Sequence, residues 1–131
     1  MAREIAKGKL PYNVNLVTLA AARAALRHAP ELTARVQHII DVRDRFVERL
    51  APVPGLTVYP TAANFVLVRC RTVPARELFR RLLDEFGILV RDVSTSPQLS
   101  ECLRISIGTE EDMDAVIAAL QQILGQHAAG R

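Results

Sequence analysis

Cys102-Leu103-Arg104-Ile105-Ser106-Ile107-Gly108-Thr109-Glu110-Glu111-Asp112 is the stretch on which the fold turns. Its first six residues alternate, so in an extended chain Leu103, Ile105 and Ile107 share one face while Cys102, Arg104 and Ser106 share the other. Gly108 breaks the strand. Thr109 with Glu110, Glu111 and Asp112 then supplies a helix start whose acids complement the positive end of the helix dipole. Beyond it Met113, Val116, Ile117, Leu120, Ile123 and Leu124 repeat on a 3.6-residue period, and Gly125 is the expected stop. A strand with one apolar face, feeding a helix with one apolar stripe, predicts a sheet covered by helices, with Arg104 directed away from them.

Working back along the chain, Gly87-Ile88-Leu89-Val90-Arg91-Asp92 predicts a helix stop at Gly87 and a strand over 88–91. The helix before it starts at Pro74 and carries Leu78, Phe79, Leu82, Leu83 and Phe86 on one side. Pro54-Gly55 and Pro60 bound two short β-rich runs, 56–59 and 65–69. A long helix from Pro30 has Leu32, Val36, Ile39, Ile40, Phe46, Val47 and Leu50 as its apolar stripe, and a first helix over 16–26 follows Asn15 as N-cap. The order α, α, β, β, α, β, β, α predicts an α+β fold, with a small mixed or largely antiparallel sheet and helices on one face.

At 131 residues the chain has the size of one domain. It is 50% hydrophobic and 24% charged, which excludes a disordered chain. The longest charge-free apolar run, 16–22, is far short of the ~20 residues that cross a bilayer, and no signal-peptide pattern is present, so a cytoplasmic protein is expected. Two cysteines, Cys70 and Cys102, form neither a disulfide framework nor a C-x-x-C pair. The net charge is +3, with 15 arginines against the two lysines Lys7 and Lys9. Asp41, Arg43, Asp44, Arg45, Glu48 and Arg49 interleave the signs as a solvated helix face does, and no nucleic-acid or membrane partner is expected.

Arg104 is the strongest candidate for chemistry. A guanidinium presents a planar fork that grips a carboxylate or phosphate through two hydrogen bonds, and a strand would hold it rigidly. The alternative is a surface arginine paired with a nearby acid. Arg91 poses the same choice: it is either satisfied by Asp92 or, if the two strands are neighbours, converges with Arg104 on one dianion. His28, His38 and His127 lack metal-ligand spacing, and no metal site is expected. Cys70 and Cys102 read as small apolar strand residues with no histidine near in sequence to activate them. Tyr12, Asn13, Asn15 and Asn64 read as turn and capping residues.

Taken in order, Lys9-Leu10-Pro11-Tyr12-Asn13-Val14-Asn15, Ala63-Asn64-Phe65-Val66-Leu67-Val68-Arg69, Gly87 to Asp92 and Cys102 to Glu111 resemble the C-terminal part of the histidinol-phosphate aminotransferase family, within the class I/II group of pyridoxal-phosphate enzymes. The resemblance implies a homodimer that transfers an amino group between histidinol phosphate with 2-oxoglutarate and imidazole-acetol phosphate with glutamate. It makes 1–14 a lead-in from a large domain, 15–126 the small domain and 127–131 a flexible tail. Arg104 matches the family's anion-gripping arginine and Arg91 the second arginine, with Tyr12 and Asn13 as further substrate-site residues. The family's Schiff-base lysine lies upstream of everything here, in a motif that neither Lys7 nor Lys9 matches. No catalytic residue is therefore expected in this chain, pyridoxal phosphate is expected in the full-length enzyme and not on this piece, and the isolated chain is expected to be inactive. Another class I/II aminotransferase, a phosphothreonine-type decarboxylase or a stand-alone anion-binding module are the alternative readings.

Overall fold

The computed structural model describes residues 14–129. They divide at Val36 and Gln37 into two compact units. The first contains α1 (Leu16–Arg27) and the opening turns of α2 (Ala29–Leu50). Asn15 caps α1 as expected, its Oδ1 accepting from Thr18 N at 2.8 Å. None of the α1 side chains is buried.

The second unit holds the rest of α2, then β1 (Leu56–Val58), β2 (Phe65–Cys70), α3 (Ala75–Phe86), β3 (Arg91–Asp92), β4 (Cys102–Ser106) and α4 (Glu110–Ala129). The four strands form one sheet in the order β1-β2-β4-β3, and every neighbouring pair is antiparallel. One apolar cluster joins Val66, Val68, Leu103 and Ile105 of the sheet to Val42, Phe46 and Leu50 of α2, Leu78 and Leu82 of α3, and Leu120 and Ile123 of α4. The alternation in 102–107 is thus resolved as anticipated: Leu103 and Ile105 enter the core, while Arg104 leaves it.

The helix ends follow from local chemistry. At the start of α4, Thr109 Oγ1 accepts from Asp112 N while Asp112 Oδ2 accepts from Thr109 N at 2.9 Å, a reciprocal capping box. α3 ends at Gly87, which adopts φ +68, and Ile88 N reaches back to Leu82 O. Its start is capped from elsewhere, since Pro74 offers no side-chain acceptor and Glu101 Oε2 accepts from Ala75 N instead.

Several expectations are corrected. The apolar stripe of α2 begins at Val42 and not at Leu32: Leu32, Val36 and Ile39 are exposed. α4 continues through Gly125 to Ala129, so 127–129 are helical where a flexible tail was expected. The strand expected over 88–91 is only Arg91–Asp92, because the amide of Ile88 is taken up in closing α3. Of the interleaved charges on α2, Arg43 pairs with Asp44 within the helix at 2.7 Å, whereas Arg45 and Arg49 reach across to Glu110 and Asp114 of α4. No helix among the described residues is long and apolar enough to cross a membrane.

Candidate functional site

Register decides which side chains meet on the face away from the helices. Arg91 stands directly opposite Arg104, and Arg104 opposite Leu67. Residues opposed in this way project to the same side with their Cβ atoms about 5 Å apart. On the neighbouring rungs Phe65 opposes Ser106, Arg69 opposes Cys102 and Thr57 opposes Arg69. The face therefore carries Arg91, Arg104 and Arg69 among apolar and hydroxyl side chains, and none of these positions is an acid.

The nearby acids are engaged elsewhere. Asp92 alternates to the other side of β3, and its Oδ1 accepts from Ser94 N at 2.9 Å and from Ser94 Oγ. Glu101 caps α3. Among the described residues neither Arg91 nor Arg104 forms an ion pair, so the pairing of Arg91 with Asp92 that adjacency suggested is not made.

Arg104 is half-buried on the central strand β4. Its guanidinium carbon lies 5.1 Å from the centroid of the Phe65 ring, and its Nε is buried without a hydrogen-bond partner. Arg69 lies over Tyr59 at 5.8 Å and donates from Nη2 to Gln98 O at 3.1 Å. Arg91 is exposed at the sheet margin. Two guanidinium groups so placed suit a dianion, which gains a charge-assisted hydrogen bond for each N–H it accepts.

Sequence reasoning identified Arg91 and Arg104 but passed over Phe65 and Arg69. The missed signal is the alternation Phe65, Leu67, Arg69, which shares the Arg104 side once β2 and β4 are paired antiparallel. Asn64 is exposed, and its carbonyl accepts from Ile107 N at 2.9 Å. Tyr12 and Asn13 lie outside the described residues, as do Lys7 and Lys9. Cys70 and Cys102 are both buried, and desolvation pushes the Cys70 thiol up to about 12. His28, His38 and His127 take part in no cluster suited to a metal among the described residues. A cleft of about 320 Å³ between Gly87–Val90, the end of β4 and the start of α4 contains no arginine.

Pyridoxal phosphate, which the resemblance implies, is anchored in that group through a lysine imine. The described residues contain no lysine, so they do not fit the covalent anchor.

The fold and the face together define an α+β domain whose sheet carries arginines on the side away from the helices. Residues 1–120 match the family Aminotransferase class I and II, and the chain belongs to it. It is 41% identical over 123 residues to histidinol-phosphate aminotransferase 2 of Bordetella parapertussis, covering 92% of this chain and 33% of the relative. Its fold resembles the histidinol-phosphate aminotransferase of Clostridium acetobutylicum, with TM-score 0.80 and 26% identity over 95% of this chain and 38% of that one. It also resembles the histidinol-phosphate aminotransferase of Sinorhizobium meliloti in complex with pyridoxal-5'-phosphate, with TM-score 0.75 and 31% identity over 95% and 34%. The chain thus spans about a third of the length of the relatives it matches.

Proposed function

We propose that this chain is the C-terminal, substrate-recognition part of a pyridoxal-phosphate-dependent histidinol-phosphate aminotransferase. In this reading Arg104 grips the phosphate of histidinol phosphate or a carboxylate of glutamate and 2-oxoglutarate in turn. Arg91, directly opposite, adds the second positive charge that a phosphate dianion calls for. Tyr12 and Asn13 are further contributors. The cofactor is held by residues outside this sequence, the working protein is a cytoplasmic homodimer, and the chain alone transfers no amino group.

The observation that carries this reading is the Arg91–Arg104 cross-strand pair on an acid-free sheet face. The identity to histidinol-phosphate aminotransferases supports the choice of substrate. Steady-state kinetics of the full-length protein test it: Arg104→Ala should lower kcat/KM for both histidinol phosphate and 2-oxoglutarate by about 10- to 100-fold, the loss of one charge-assisted contact. Unchanged kinetics for both substrates would remove Arg104 from the site. A panel of other amino donors, on which histidinol phosphate is not preferred, would move the assignment elsewhere within the family.

A further inference from the structure

We propose that Phe65 is a positioning residue for Arg104, holding the guanidinium where an anionic substrate group meets it. The inference rests on the reading of Arg104 given above and adds a residue to it.

Arg104 lacks the neighbours that ordinarily fix an arginine. Among the described residues no carboxylate pairs with it, its Nε is buried without an acceptor, and the residue directly opposite is Arg91. Like charges opposed across a strand pair repel, which drives an unrestrained guanidinium out toward water. The group set against that drift is the Phe65 ring, 5.1 Å from the guanidinium carbon. An aromatic face attracts a cation through its quadrupole and supplies no negative charge. A carboxylate in the same place would hold the fork too, but it would also neutralise the charge and occupy the donors that a substrate needs. The ring restrains the cation without placing an acceptor on the N–H groups of its fork.

The position of Phe65 is itself well determined. It opens β2 opposite Ser106, so it lies diagonally across from Arg104 on the same face. The turn that delivers it is tied by Thr61, whose Oγ1 donates to Phe65 O at 2.7 Å and accepts from Ala63 N at 3.1 Å. Arg69 over Tyr59 shares the buried, unpartnered Nε but differs at the end of its fork. It too is set against a ring, at 5.8 Å, yet one of its N–H groups is given to Gln98 O. Of the two arginines, only Arg104 combines the aromatic support with a fork that has no protein acceptor among the described residues.

The test is a set of kinetic variants in the full-length protein. Phe65→Leu, which keeps an apolar side chain and removes the ring face, should raise KM for histidinol phosphate and for 2-oxoglutarate about 3- to 30-fold with a smaller change in kcat, the range a cation–π contact spans. Phe65→Tyr should restore KM to within about twofold, because the face is retained. Phe65→Met, with similar volume and no ring, should behave like Phe65→Leu and replaces it if that variant does not fold. Wild-type KM in Phe65→Leu or Phe65→Met, alongside impaired Arg104→Ala, would overturn the role of Phe65 and leave the function standing. Failure of Phe65→Tyr to restore KM would also overturn it, since loss of packing and not of the ring face would then explain the defect. Wild-type kinetics in Arg104→Ala would instead overturn the function on which the inference rests.

Discussion

Glu101 reaches across 26 residues to cap α3, its Oε2 accepting a hydrogen bond from Ala75 N at 2.6 Å. Glu101 does so with a left-handed backbone, φ 56, which a non-glycine residue adopts only at a cost. The strain and the cap come together, because the turn into β4 is what aims the carboxylate at the helix. Glu101→Ala leaves the strain and loses the cap, and should destabilise the protein by about 1–2 kcal/mol in urea unfolding. Glu101→Gln keeps an acceptor and should recover more than half of that loss.

Stability at alkaline pH should depend on Cys70. Its thiol is raised from 9.0 to about 12, mainly by burial, so between those values the unfolded chain releases a proton that the folded chain retains. Fewer protons bound in the unfolded state means that stability falls as pH rises from about 9 toward 12, by at most about 1.4 kcal/mol per pH unit from this group. The slope fades below pH 9 and is negligible below about pH 7. Unfolding measured at pH 8 and pH 10 should show a smaller loss for Cys70→Ala than for the wild type, and equal losses would mean another group titrates.

Arg91 should discriminate between substrates by charge. It is exposed and opposite Arg104, so in the proposed role it would add a second contact, weakened by solvent, to a doubly charged phosphate group and little to a single carboxylate. Arg91→Ala in the full-length protein should raise KM for histidinol phosphate about fivefold and change KM for 2-oxoglutarate by less than about twofold. A ratio of the two KM values identical to wild type would show that Arg91 does not sense the phosphate.

Phe46 is 1% exposed in the cluster that joins α2 to the sheet. Truncation there leaves a cavity that neighbours on several elements cannot all close. Phe46→Ala should cost about 3–5 kcal/mol. Leu32→Ala, at a position expected from periodicity to be equally apolar but exposed in the structure, should cost less than about 1 kcal/mol in the same unfolding measurement of this chain.

The contrast between Phe46 and Leu32 shows what local sequence conveys. Caps at Asn15, Gly87 and Thr109 are legible because donor and acceptor lie within a few residues of each other. The side of the sheet on which Arg104 lies is legible because alternation fixes it. The reach of α2's buried stripe is not, since periodicity marks an apolar side without saying where along it a neighbour begins. The Arg45–Glu110 and Arg49–Asp114 pairs and the Glu101 cap join residues 65, 65 and 26 positions apart, and no local pattern announces them. Gly125 does not end α4, and Gln126 beyond it accepts from Arg81 Nη2 of α3 at 2.6 Å, a contact 45 positions apart that local sequence does not announce. The Phe65–Arg104 contact needed the β2–β4 register, which residues 65–69 and 102–107 do not contain individually.

Both margins of the sheet are short: β1 runs for three residues and β3 for two, one of which is Arg91. A foreign strand laid along either border finds few backbone groups to zip onto, and along β3 it also meets a positive charge, the means by which natural sheets discourage fibre growth. Replacing Arg91 with an apolar residue should therefore be felt in the protein's shelf life, as faster polymerisation on storage, as well as in its kinetics.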